Sequence, residues 1–411
     1  RDWLAFISIV SAIFIHIGFS LYAGAVVLRG LFGINIMVSI ITIAVLTGLY
    51  TIIGGLFAVV ITESIQTVIL VLGAGCITAI AYHNVGGWSE LSAAVDPVKL
   101  TMLRPAGDPS GLPWYSVFLG YPVIGLWYWC ADQTIVQRVL GAKDENHARV
   151  GPLFAGFIKI LPVFIFVLPG LLCLGLINQG KLPDTITDSA DTYAFMISHL
   201  LPVGLKGIVA AALLAALMST VSGAMNSIAT LFSYDIYKRW RPDTSESNLV
   251  IVGRIATFFA MILAIAWSPF VSHFRSIFQG LNVIISYLAP SITVVFLCGI
   301  FWKRASAKAA IITLWSGSAM GFVVFLLDWF KEYTGWNVPF MMMAFYLFVI
   351  CLVIMVVLSL FKPHSHTAES EVLVWDNPLE AFHSKGWSGI GNYKFLSALL
   401  FCTMVILYII F

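Results

Sequence analysis

The sequence predicts an all-α membrane protein that crosses the bilayer many times. Of its 411 residues, 60% are hydrophobic and only 10% are charged, and the mean hydropathy is +0.96. Soluble globular proteins carry about 25% charged residues, so the composition excludes a soluble domain. The net charge of +2 gives no indication of a nucleic-acid partner. The partner that the composition predicts is the lipid bilayer.

Eleven apolar segments are long enough to be candidate membrane-spanning helices, since about 20 residues of helix cross the hydrocarbon core. They lie at about 4–28, 35–60, 64–82, 114–130, 149–177, 205–235, 248–270, 276–302, 308–329, 338–361 and 394–411. Because the number is odd, the two ends of the chain are predicted to lie on opposite sides of the membrane.

Lysine and arginine predict the orientation, because short loops rich in these residues stay in the cytoplasm. Alternate loops carry them in clusters, which are Arg138, Lys143 and Arg149, then Lys238, Arg239 and Arg241, then Lys303, Arg304 and Lys308. The loops between them are acidic or carry few charges. We therefore predict that the basic loops are cytoplasmic, in a multi-pass protein of the cell (inner or plasma) membrane.

The fourth segment is short and contains Pro122 and Gly125 before it runs into the polar stretch Ala131-Asp132-Gln133. This pattern predicts a helix that breaks and resumes within the membrane. Such breaks are tolerated only where the irregular backbone lines a cavity. The eighth segment similarly carries polar residues at depth, among them Asn282.

The sixth segment places small and polar residues on one helical face, because they recur at three- and four-residue steps. They are Ala212, Ala216, Ser219, Thr220, Gly223, Asn226, Ser227 and Thr230. One interpretation is a packing seam, since small residues let transmembrane helices approach. The other is a cation site, in which the Ser219 and Thr220 hydroxyls and the Ala216 carbonyl supply oxygen ligands. A facing helix would have to supply the remaining oxygens.

Lys159 lies about ten residues into the fifth segment, or about 15 Å along a helix. An unpaired ammonium at that depth costs several kcal/mol, so Lys159 is expected to face a partner or a wet cavity. Snorkelling toward the interface is the structural alternative. The functional alternative is a hydrogen-bond donor that lines a substrate path.

The aromatic pair Tyr128-Trp129 precedes Asp132 and Gln133 in the broken segment. An aromatic belt at the membrane interface would account for the rings. On a broken helix, the rings would instead stack on the apolar faces of a sugar, while the amide of Gln133 and the carboxylate of Asp132 bind its hydroxyls. Both polar residues are equally suited to cap the ends of the broken helix.

The sequence contains no nucleophile elbow, no HExxH and no P-loop, so neither an enzyme nor an ATP-driven pump is predicted. Uphill transport of a solute would then need an ion gradient. A membrane sensor that binds sugar and signals through loop 362–392 is an alternative without transport. A sodium leak channel is a third, although the polar residues form patches and not a continuous pore face.

Ten motifs, in order along the chain, resemble the sodium/glucose cotransporter branch of the sodium:solute symporters. They are YTIIGGLFAVV at 50–60, TESIQTVI at 62–69, VGGW at 85–88, LWYWCADQ at 126–133, IVQR at 135–138, LMST at 217–220, NS at 226–227, DIY at 235–237, SYLAP at 286–290 and IFWKR at 300–304. The resemblance covers essentially the whole chain, and WYWCADQ is highly specific.

The resemblance implies a LeuT-like inverted-repeat fold, alternating access and sodium-coupled uptake of a glucose- or galactose-like monosaccharide. It implies one transporter domain over 1–411, in which 1–83 is the remainder of the first repeat. Residues 114–302 would form the second repeat, and 303–411 additional C-terminal helices. The first helices of the family are expected to be missing from this chain, and with them the oxygens that face the sixth segment.

By position, the resemblance implies sodium ligands at Ala216, Ser219 and Thr220. The substrate contacts that we predict are Tyr128, Trp129, Gln133, Lys159, Phe278 and Asn282. Gln133 is included for its amide chemistry and the others for their match to the family. Asn282 stands where the family has glutamine, which leaves the solute open to myo-inositol, sialic acid or another small organic molecule.

Overall fold

The computed structural model describes residues 2–108, 112–186, 188–361, 371, 373–375, 377, 379 and 382–410. For residues 53–62 it describes the backbone alone. Among these residues the regular structure is helical, apart from one β-bridge between Arg104 and Pro113. The prediction of an all-α protein is confirmed.

The main helices are joined by turns and loops of different lengths. In chain order they are α1 (Asp2–Phe32), α2 (Ile36–Val85), α3 (Trp88–Ala94), α4 (Trp114–Cys130), α5 (Gln133–Leu140), α6 (Glu145–Ile158), α7 (Leu168–Asn178), α8 (Thr192–Leu200), α9 (Val203–Thr230), α10 (Glu246–Trp267), α11 (Ile277–Phe301), α12 (Ala307–Trp329), α13 (Phe340–Phe361) and α14 (Tyr393–Ile410). Wider π-helical turns lie at Ala12–Ile17, Val163–Val167 and Leu231–Tyr237.

Within the described part of the chain, nine helical stretches are long and apolar enough to span a membrane. They are Asp2–Phe32, Glu63–Val85, Glu145–Asn178, Val203–Trp240, Glu246–His273, Ile277–Phe301, Ala307–Trp329, Phe340–Phe361 and Tyr393–Ile410. The two other predicted segments are also helical, over Ile36–Ile52 and Trp114–Cys130, but these stretches are shorter. The prediction of a multi-pass membrane protein is confirmed.

Helix α2 joins two segments that the sequence separates. Its backbone is helical over 50 residues, so the predicted boundary between 35–60 and 64–82 was wrong. The residues at that boundary, Ile61-Thr62-Glu63, include neither proline nor glycine. Nothing in the chain there removes a backbone donor or clashes with the preceding turn, so the helical hydrogen bonds continue.

The chain divides into two compact units. Unit 1 comprises Arg1–Thr101 and Ala155–Gly280, and unit 2 comprises Met102–Phe154 and Leu281–Phe411. No finding tests the predicted single domain and its repeat boundaries, which stay a prediction.

The core of unit 1 forms where α1, α2, α9 and α10 pack together. Leu21, Ile40, Val221 and Met225 are buried in one apolar cluster there. Truncation of a buried side chain of this size to alanine typically costs about 2–5 kcal/mol. This cluster holds one face of α9 rigidly, which fixes the direction of the opposite, polar face.

Unit 2 is built on close helix contacts that only glycine permits. A Cβ on Gly120 of α4 would lie 1.9 Å from the Met341 carbonyl oxygen of α13. A Cβ on Gly321 of α12 would lie 2.0 Å from the Tyr287 carbonyl oxygen of α11. Small residues are how membrane helices approach closely, and these contacts position α4 and α11.

Candidate functional site

Ala216, Ser219 and Thr220 lie in the middle of α9, in unit 1. The Thr220 hydroxyl donates to the Ala216 carbonyl oxygen at 3.4 Å, so two of the three predicted sodium oxygens lie together. Bonding to the carbonyl four residues earlier is usual for threonine in helices. The hydroxyl keeps its lone pairs, and a carbonyl oxygen has two, so both atoms remain able to coordinate a cation. Ser219 is half-buried and Thr220 is exposed.

Two residues that we did not predict as site residues bond to backbone carbonyls in this part of α9, Tyr50 from α2 and Ser222 from α9 itself. The Tyr50 hydroxyl of α2 donates to the Met218 carbonyl oxygen at 3.1 Å. The Ser222 hydroxyl donates to the Ser219 carbonyl oxygen at 2.9 Å. Tyr50 begins the motif YTIIGG, so the sequence could have drawn attention to this residue. Its partner Met218 lies 168 residues away in the chain, and a local sequence pattern cannot predict such a contact.

The polar face of α9 contains both buried and exposed residues, so it does not decide between the two interpretations that the sequence left open. Gly223 and Ser227 are buried, and the Ser227 hydroxyl donates to the Gly223 carbonyl oxygen at 3.1 Å. Thr220 and Thr230 are exposed. Gly223 and Ser227 therefore serve packing, whereas Thr220 is accessible to an ion.

Lys159 lies at an irregular turn inside the helical stretch Glu145–Asn178, which matches the predicted segment 149–177. Helix α6 ends at Ile158, Lys159 and Ile160 form a turn, and a π-helical stretch follows at Val163–Val167. Pro162 accounts for the irregular turn, because it has no backbone N–H to donate to the Ile158 carbonyl oxygen four residues earlier. Lys159 is exposed, as both snorkelling and a substrate contact require. Irregular helical turns are frequent at functional sites.

The predicted break of the fourth segment is present. Helix α4 ends at Cys130 and α5 begins at Gln133. The buried Asp132 carboxylate accepts hydrogen bonds from the Thr134 backbone N–H at 2.8 Å and from the Thr134 hydroxyl at 2.5 Å. Asp132 therefore caps α5, as one of its two interpretations required. Gln133 is the first residue of α5 and is half-buried.

The predicted substrate residues are divided between the two units. In unit 2, the Tyr128 and Trp129 rings meet edge to face, with centroids 5.5 Å apart, and Asn282 is buried in α11. Lys159 and Phe278 lie in unit 1, where Phe278 is exposed. The substrate and sodium roles of all nine residues stay predictions.

Comparisons with known proteins agree on one family. The sodium:solute symporter family matches residues 1–317. The chain is 31% identical over 420 residues to the sodium/mannose cotransporter SLC5A10 of Bos taurus, covering 91% of this chain and 70% of that one. It is 33% identical over 412 residues to sodium/glucose cotransporter 1 of Oryctolagus cuniculus, covering 88% and 62%. It is 35% identical over 360 residues to sodium/myo-inositol cotransporter 2 of Sus scrofa, and this match covers 79% of this chain and 52% of that one.

A solved structure shows the same fold. It is a Na⁺-coupled sialic acid symporter in a substrate-bound outward-open state, with a TM-score of 0.72 and 23% sequence identity. The match covers 88% of this chain and 75% of that one, and it confirms the predicted LeuT-like fold. The chain spans 52–70% of the length of the three curated relatives named above. A family match over residues 1–317 of 411 is more than half of the sequence, so the chain belongs to the sodium:solute symporter family.

Proposed function

We propose that the protein is a sodium-driven symporter of a neutral monosaccharide of the glucose or galactose type. The observation that carries the sodium part of the proposal is the pair of oxygens at Ala216 and Thr220, 3.4 Å apart, beside Ser219 on the accessible face of α9. Family membership supports the same ion, and no acidic side chain is needed, because hard cations accept neutral oxygen ligands.

In this proposal sodium is a co-transported substrate. The Ala216 carbonyl and the Ser219 and Thr220 hydroxyls would supply three of its oxygens. Sodium can drive a conformational change only by binding one state more tightly than the other. We therefore expect it to favour the outward-open state, in which the solute then binds.

The proposed roles of the substrate residues follow from their chemistry. The Tyr128 and Trp129 rings would stack on the apolar face of a sugar, and the amides of Gln133 and Asn282 would bind hydroxyls. The Lys159 ammonium would donate hydrogen bonds to a neutral solute, or act as the charge partner of an anionic one.

Sodium-coupled transport of another solute is the nearest alternative, because similar proteins are named for mannose and myo-inositol and a structurally similar one for sialic acid. A sugar sensor without transport is the other alternative from the sequence. In the loop 362–392 through which it would signal, residues 362–370, 372, 376, 378, 380 and 381 lie outside the described residues.

Uptake into proteoliposomes distinguishes these functions. Glucose, galactose, mannose, myo-inositol and sialic acid would each be supplied with an inward sodium gradient, and with an equal potassium gradient as the control. We expect uptake of one neutral sugar above its equilibrium level with sodium only. Sodium-driven uptake of sialic acid alone would replace the proposed solute class. Sugar binding without uptake would favour a sensor, and uptake indifferent to sodium would refute symport.

A further inference from the structure

A cavity of about 280 Å³ opens in unit 1 between α2, α9 and α10. Thr51, Thr230, Ser233 and Arg254 are among the residues that line it. It lies toward the end of α9 that leads into Lys238, Arg239 and Arg241, the loop that we predict to be cytoplasmic. A water molecule occupies about 30 Å³ of liquid, so the cavity has room for a group considerably larger than water.

The charge of this cavity favours an anion. Among its described lining residues Arg254 is the only charged side chain, and none is acidic. Arg254 is exposed and makes no ion pair with any other described residue. A guanidinium offers five donors in a planar fork that fits the oxygens of a phosphate.

Two helices that line the cavity approach it from different sides. Thr51 of α2 and Arg254 of α10 are both among its lining residues. The Thr51 side chain is only 5% exposed, so the polar group of this wall that a ligand can reach is the exposed guanidinium of Arg254. A ligand in the cavity would therefore lie between α2 and α10, with its charged group at Arg254.

The outer face of α10 beside Arg254 is apolar. Val250, Phe258 and Ile262 lie four residues from one another or from Arg254, in a row along the helix, and each is about half exposed. Since α10 runs away from the predicted cytoplasmic loop, Phe258 and Ile262 lie deeper in the membrane than Arg254. An anionic group at Arg254 with an apolar tail along this row describes a phospholipid.

We infer that this cavity binds the phosphate of a phospholipid from the cytoplasmic leaflet, with an acyl chain along Phe258 and Ile262. Basic pockets between transmembrane helices on the cytoplasmic side bind phospholipid headgroups in this way. The inference does not depend on which solute is transported, because it uses no predicted sodium or substrate residue.

The test is a titration of the delipidated protein, followed by native mass spectrometry. The probes are phosphatidylglycerol, diacylglycerol as a lipid without phosphate, and inorganic phosphate. We expect phosphatidylglycerol to bind, diacylglycerol not to bind measurably, and millimolar inorganic phosphate not to displace the lipid. Displacement by inorganic phosphate would assign the cavity to a free anion, and equal binding of diacylglycerol would remove the role of the phosphate. Either result overturns the inference.

Arg254→Gln should weaken phosphatidylglycerol binding about tenfold or more, because charge-assisted hydrogen bonds are lost. Arg304→Gln is the control, since Arg304 is also an exposed arginine but lies in a basic loop outside the cavity. Arg304→Gln should change the affinity for phosphatidylglycerol by less than about twofold. An equal loss of affinity in Arg254→Gln and Arg304→Gln would show that the lipid binds basic residues in general. Arg254→Lys and Phe258→Ser provide further variants should Arg254→Gln fold poorly. The first should retain part of the binding, and the second should weaken binding of the lipid. Unchanged binding in both variants overturns the inference.

Discussion

Replacing Thr220 by valine tests the proposed sodium site directly, because valine keeps the shape of threonine and removes only the hydroxyl. The bond that is lost inside the protein is weak, since the Thr220 hydroxyl lies 3.4 Å from the Ala216 carbonyl oxygen and the side chain is exposed. Substitutions at exposed positions usually change the free energy of unfolding by no more than about 0.5 kcal/mol. The melting temperature should therefore hardly change.

Sodium binding should change much more. A hydrogen-bonding group that contacts a charge contributes about 1.5–3 kcal/mol, and about 1.4 kcal/mol corresponds to a factor of ten in affinity. Loss of the Thr220 oxygen should then raise the sodium concentration for half-maximal uptake roughly tenfold to a hundredfold. Because Ser219 would coordinate the same ion, the effect of Ser219→Ala with Thr220→Val need not equal the sum of the two single effects.

Thr42→Val is the matched control. Thr42 is an exposed threonine in a helix of the same unit, and its hydroxyl also donates to the carbonyl oxygen four residues earlier, in Val38, at 2.8 Å. The assay is the initial rate of uptake into proteoliposomes over a range of sodium concentrations. An unchanged sodium dependence in Thr220→Val, or an equal shift in Thr42→Val, would refute the assignment of α9 to sodium.

Three further substitutions test other parts of the structure. Lys159→Ala should raise the KM for the solute with little change in melting temperature, because Lys159 is exposed at an irregular helical turn; an unchanged KM would remove Lys159 from the substrate path. Asp132→Ala should lower the free energy of unfolding by about 1 kcal/mol, which is the usual contribution of an N-cap. A free energy of unfolding equal to that of the wild type would contradict the capping role. Gly120→Ala should destabilise the protein, since the new Cβ would lie 1.9 Å from the Met341 carbonyl oxygen, whereas Gly151→Ala, which meets no atom within 4 Å, is the control in the same thermal unfolding assay.

The break after Cys130 could be predicted from the sequence, because its cause is local. The polar residues Asp132 and Gln133 follow the helix directly, and Asp132 caps the helix that follows. Pro122 and Gly125 lie inside α4 and do not end it. The irregular turn at Lys159 was not predicted, although Pro162 follows it closely. Pro122 and Pro152 lie inside regular helices. A proline in an apolar segment therefore does not by itself predict an irregular turn.

Contacts between distant residues could not be predicted at all. The hydroxyl of Tyr50 reaches the carbonyl of Met218, and Gly120 packs on Met341. In each case the sequence gives the residue type but not the partner, because helical periodicity defines a face without defining what lies opposite it. The same limit explains why the polar face of α9 supported both packing and ion binding.

The proposed sodium site on α9 would need no rearrangement to accept an ion. The exposed Thr220 hydroxyl donates to the Ala216 carbonyl oxygen, which holds the two oxygens side by side. Since the carbonyl has a second lone pair and the hydroxyl oxygen accepts on its other side, an ion can bind both atoms without breaking their bond. In the proposal, these oxygens are therefore already arranged for the ion. By this reasoning Thr220→Ser, which keeps the oxygen, should preserve the sodium dependence that Thr220→Val loses, and a loss as large as that of valine would show that the methyl group, not the oxygen, was responsible.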